Sequence, residues 1–124
     1  TTPSEKDLIK LLPVCYENFE KVRKSINCSS ETKIILKINQ DSYAVISCDG
    51  TGYKTCSFAE IENINQFLMM TMDTRLLNWI LQGPRKAHWS IADIGCHITY
   101  KRVPNNYERG LYYCWNNFYS NNYN

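Results

Sequence analysis

The sequence predicts a mainly β domain with an N-terminal helical segment and room for a helix over 58–82. Its rival is a disulfide-bonded α+β domain in the order helix, two strands, helix, two strands. Three observations carry the prediction. Two β-branched runs flank a polar turn between 33 and 48, strand composition returns in the last third, and six cysteines are spread through 124 residues.

From Lys6 to Ile26, the residues Leu8, Ile9, Leu11, Leu12, Tyr16, Phe19, Val22 and Ile26 form a helical stripe. Pro13 interrupts it, so it kinks the helix or begins a second one. The clearest local pattern follows: Lys33-Ile34-Ile35-Leu36-Lys37-Ile38, the turn Asn39-Gln40-Asp41-Ser42, then Tyr43-Ala44-Val45-Ile46-Ser47-Cys48. This reads as a strand pair, and Asp49-Gly50-Thr51-Gly52 as a loop.

Between Ser57 and Gln82 a capping box, Ser57 with Glu60, precedes Ile61, Ile64, Leu68, Met72 and Leu76 at helical spacing, and Gly83-Pro84 closes it. The run Leu76–Leu81 reads equally as a buried strand. Strands are expected over His88–Ile94, Cys96–Val103 and Glu108–Phe118, with Pro104-Asn105-Asn106 turning between the last two. A weak internal duplication, with Cys48 and Cys114 equivalent, is consistent with that order.

Length and 44% hydrophobic residues fit a single domain over 1–124. The cysteines, at 15, 28, 48, 56, 96 and 114, contain no CxxC pair, which argues against zinc or a dithiol redox motif and for disulfides in an oxidising compartment. Asn27-Cys28-Ser29 fits a glycosylation acceptor. The chain opens without a charged n-region and apolar run, so a signal peptide is expected to have been removed or never present. No apolar stretch reaches bilayer length, so no direct membrane insertion is expected. A net charge of +2 is too balanced for nucleic acid, and Lys21-Val22-Arg23-Lys24 and Pro84-Arg85-Lys86 read as solvated faces.

Glu108-Arg109-Gly110-Leu111-Tyr112-Tyr113-Cys114 resembles the F-strand signature of the immunoglobulin superfamily. Leu36 to Cys48 likewise resembles its approach to the first core cysteine, and His97–Val103 its strand E. The resemblance covers 35–48 and 97–114. It implies an immunoglobulin-like sandwich, Tyr112 as a tyrosine corner, and a Cys48–Cys114 inter-sheet disulfide. Spacing does not choose among the remaining pairings; Cys15 with Cys28 and Cys56 with Cys96 are expected.

No nucleophile elbow, phosphate-cradling loop, HExxH or calcium loop is present, so no enzyme, metal or cofactor is expected. The tail Trp115–Asn124 has the Tyr, Trp, Ser and Asn composition of recognition loops. The expected function is a secreted or cell-surface domain, whether receptor, adhesion module or decoy, that binds another protein. Trp115, Phe118, Tyr119 and Tyr123 are its expected anchors, with Met69 and Met70 as a second surface. The alternative is a small secreted enzyme or toxin using His88 or His97.

Overall fold

The computed structural model describes residues 2–89 and 98–121. Its centre is one five-stranded mixed sheet, not two packed β layers. In chain order the elements are α1 (Glu5–Ile9), α2 (Leu12–Ser25), β1 (Ser30–Asn39), β2 (Ser42–Cys48), β3 (Tyr53–Cys56), α3 (Phe58–Ile61), β4 (Phe67–Thr71), α4 (Thr74–Gln82), β5 (Thr99–Val103) and α5 (Arg109–Trp115). The strand order is β3-β2-β1-β4-β5, with β1 and β4 parallel and the other neighbours antiparallel.

This overturns the immunoglobulin-like sandwich and also the order of its α+β rival. The decisive segment is Glu108–Cys114, which is helix α5 where the resemblance requires a strand. Leu111, Cys114, Trp115 and Phe118 are all buried, and their i, i+3, i+4, i+7 spacing is that of a helix face packed on a core. Cys48 ends a strand while Cys114 sits in a helix, so the suggested duplication fails as well.

The strands β1 and β2 fall where the β-branched runs place them. Both lie inside the sheet, which is why Ile34, Ile35, Leu36, Ala44, Val45 and Ile46 are buried in succession and do not alternate. One face, with Ile34, Leu36, Ile38 and Ile46, packs on α1, α2, α4 and α5. The other, with Ile35, Tyr43 and Val45, packs on Ile61 of α3. At the N-terminus Pro13 starts a second helix, in the first turn of α2, where its missing N–H costs nothing.

The single helix expected over 58–82 divides into α3, β4 and α4. In β4 the burial alternates, with Leu68 and Met70 inward on the helix-covered face and Phe67 and Met69 on the other. Asp73 then restarts the chain as a helix by accepting the Arg75 N–H at 2.7 Å. The Leu76–Leu81 run is therefore helical, and Gly83, at φ 139°, ends it. Of the strand expected over Cys96–Val103, Thr99–Val103 is β5; residues 90–97 lie outside the described residues.

Candidate ligand cavity

Sheet register gathers one wall of a cavity from distant parts of the chain. Ile34 of β1 stands beside Leu68 of β4, and Met70 of β4 beside Tyr100 of β5. Helix α5 lies across these strands and adds Leu111, Tyr112 and Trp115, with Trp89 and Asn116 completing the lining of a cavity of about 240 Å³. No Asp, Glu, Lys, Arg or His is among the described lining residues.

Three polar groups in that wall can be followed to their partners or lack of one. Trp89 Nε1 donates to the Phe118 carbonyl at 2.8 Å. The Tyr112 hydroxyl accepts from Arg102 Nη2 at 2.8 Å, and the guanidinium also lies 5.4 Å from the Tyr112 ring centroid. Trp115 Nε1 is buried with no hydrogen-bond partner among the described residues. A buried donor left unpaired costs on the order of 1–3 kcal/mol.

Behind this wall the aromatic rings form one packed cluster. Trp115 stacks on Phe118 at 4.3 Å and approaches Trp89 at 4.9 Å, while Phe19 of α2 meets both Trp115 and Phe118 edge-on. A broader depression on the opposite sheet face, about 410 Å³, is lined in part by Lys33, Ser47 and Lys54. Its cations are engaged locally, Lys33 with the Ser47 hydroxyl at 3.1 Å and Lys54 with Glu60 at 3.7 Å.

The residues expected to anchor a partner are placed differently. Trp115 and Phe118, 3% and 0% exposed, belong to the core. Tyr119 is half-buried, and its carbonyl accepts from Asn18 Nδ2 at 2.6 Å. Tyr123 lies outside the described residues. Met69 and Met70 point to opposite faces of β4, so they form no common surface. His88 Nε2 is hydrogen-bonded to the Asn116 carbonyl at 3.0 Å, while the alternative catalytic candidate His97 lies outside the described residues. Asn27 is exposed.

The five described cysteines are free thiols, so neither Cys48–Cys114 nor Cys15–Cys28 is bonded; Cys96, the expected partner of Cys56, lies outside the described residues. Cys15 is separated from Cys28 by most of α2, on the order of 15 Å at the helical rise, far beyond disulfide reach. Instead Cys15 Sγ donates to the Leu81 carbonyl at 3.4 Å. Burial pushes the Cys15, Cys48 and Cys56 thiols up and holds them protonated. No group of described residues is arranged to hold a metal ion, and no described helix is long and apolar enough to cross a membrane.

No protein-family model, curated protein or solved structure matches this chain.

Proposed function

We propose that this protein binds a small, uncharged, predominantly apolar molecule between its sheet and α5. The observation that carries the reading is the apolar cavity walled by Ile34, Leu68, Met70 and Leu111, together with Trp115, whose buried indole N–H has no partner among the described residues. A dry apolar cavity of about 150 Å³ is enough to hold benzene, so the larger one here suits a bicyclic ring or a short acyl chain. The absence of ionic side chains among the described lining residues disfavours a charged ligand, whose desolvation would go uncompensated. One oxygen acceptor on the ligand would meet the indole donor.

An uncharged naphthyl ketone dye tests this, because it is apolar, carries one acceptor, and reports on Trp89 and Trp115 by energy transfer. Leu111→Trp places an indole in the cavity. Dye affinity is expected to fall by at least about tenfold while circular dichroism and melting temperature stay close to those of the parent. Trp115→Phe, which keeps an aromatic ring but removes the donor, is expected to lose about fivefold, the worth of one hydrogen bond. Equal dye binding by the parent and Leu111→Trp would sink the reading.

A second reading, an extracellular protein-recognition domain, is favoured by a different surface from the one the tail composition indicates. Among the described residues β5 is an edge strand; Tyr107 and Tyr113 are 61% and 58% exposed, and Arg102 of β5 lies 5.9 Å from the Tyr107 ring centroid. An exposed tyrosine near a sheet edge suits strand addition by a partner. Tyr107→Ala with Tyr113→Ala is expected to change unfolding free energy by less than about 0.5 kcal/mol. A substantially larger loss would show that these rings serve the fold and not a partner.

A further inference from the structure

Three cysteines from separate elements converge at one end of the sheet. Cys28 lies in the turn between α2 and β1, Cys48 closes β2 opposite Ser30, and Cys114 is on the buried face of α5. Gly110 stands one helical turn before Cys114, and a Cβ built on it would lie 3.5 Å from Cys28 Sγ, so the Cys28 sulfur is seated on the Gly110 and Cys114 face of the helix. Cys114 follows Gly110 by one turn on the same face of α5, so it neighbours the Cys28 sulfur.

The turn that carries Cys28 is held firmly. Asn27 takes a left-handed conformation at φ 54°, the Cys28 N–H donates to the Arg23 carbonyl at 2.9 Å, and Arg23 Nη1 donates to the Cys28 carbonyl at 2.8 Å. On the other side, the Glu108 carboxylate accepts from the Ser30 and Thr32 hydroxyls, which fixes the start of α5 to β1. Backbone already in place thus sets Cys28 against the α5 face that carries Cys114.

We propose that Cys28 and Cys114 form a reversible disulfide that ties the turn after α2 to α5, with Cys28 the attacking thiol and Cys114 the resolving one. Cys28 is half-buried and reachable from solvent, whereas Cys48 and Cys114 are fully buried. Burial, reinforced by the neighbouring Cys28, pushes the Cys114 thiol up to about 12, which suits a group that reacts second and only with its neighbour. The oxidant is a low-molecular-weight disulfide, RSSR. The Cys28 thiolate attacks one of its sulfurs and expels RS⁻, leaving a mixed disulfide on Cys28. The Cys114 thiol gives its proton to the expelled thiolate and attacks the Cys28 sulfur, releasing the second thiolate, which is protonated from solvent. Two protein thiols and RSSR become one protein disulfide and two RSH. The proposal does not depend on the ligand cavity.

The test is to oxidise the reduced full chain with glutathione disulfide at neutral pH, quench in acid, alkylate in denaturant, and map crosslinked peptides by mass spectrometry. The Cys28–Cys114 crosslink is expected to outnumber every other pair. Before oxidation, native-state alkylation of Cys28 is expected on the order of tenfold faster than that of Cys114 or Cys48. Cys114→Ser is expected to stop at a glutathione adduct on Cys28. Cys28→Ser, at a half-buried position that tolerates serine, is expected to give neither adduct nor crosslink and to leave Cys114 a free thiol. A dominant Cys48–Cys114 or Cys28–Cys48 link, a stable glutathione adduct on Cys28 of the parent chain, or no reaction at Cys28 would each overturn the proposal.

Discussion

Phe118→Ala is expected to lower the unfolding free energy by about 3–5 kcal/mol, read as a shift of the urea midpoint at unchanged slope. The Phe118 ring is fully buried, stacked on Trp115 with an interplanar angle of 17° and set edge-on to Phe19 at 6.1 Å. Truncating it removes both contacts and leaves a void that α2, α5 and Trp89 are too constrained to close. The residue's carbonyl also receives the Trp89 indole N–H, so backbone relaxation around the void would strand a second buried donor. A ring that served a partner from an exposed tail would give a change within about 0.5 kcal/mol in the isolated chain. The measurement therefore separates a tail that closes the core from a tail that recognises. Ser120 points the same way, since its N–H and hydroxyl both donate to the Leu81 carbonyl, at 2.7 and 2.8 Å.

How far each segment was legible depended on how much of its signal was local. The β1 and β2 runs are dense in isoleucine and valine and joined by a short polar turn, and α2 has a long stripe, so near-neighbour chemistry decides them. At 108–118 two patterns competed. The Tyr-x-Cys offset matched a strand signature at a few positions, while Leu111, Cys114, Trp115 and Phe118 fitted a helical face, and the second pattern is the one that buries side chains. Over 58–82 a continuous helical spacing concealed β4, because Leu68 belongs to both periods and only pairing with β1 and β5 makes the strand worth forming.

The cavity was not legible at all. Its wall joins Ile34, Leu68, Tyr100 and Leu111, which are far apart in the chain and meet only through the parallel β1–β4 pairing, a long-range choice that no local pattern announces. The thiol cluster was half legible. The expected Cys48–Cys114 bond came from a family spacing and is not formed, and the fold seats the Cys28 sulfur on the α5 face next to Gly110.

Glu20→Ala is expected to cost about 2–4 kcal/mol, more than other surface-type helix substitutions in α2. The basic cluster 21–24 reads as a solvated face, yet Arg23 turns inward and forms a two-pronged pair with Glu20, Nε to Oε2 at 2.5 Å and Nη2 to Oε1 at 2.9 Å. The two side chains are only 11% and 10% exposed. Gly50 permits this: it sits at φ 89°, and a Cβ there would come within 2.9 Å of Arg23 Nη2. Donating to the Glu20 carboxylate holds Arg23 firmly charged. Removing Glu20 therefore leaves a largely enclosed guanidinium that still donates to the Cys28 carbonyl at 2.8 Å. Because the cost comes from the stranded charge, replacing both members, Glu20→Leu with Arg23→Met, is expected to recover most of the loss in chemical denaturation. A double variant no more stable than Glu20→Ala would instead assign the loss to the packing of the Glu20 stem, and the ion pair would then have no special part in fixing the turn at Cys28.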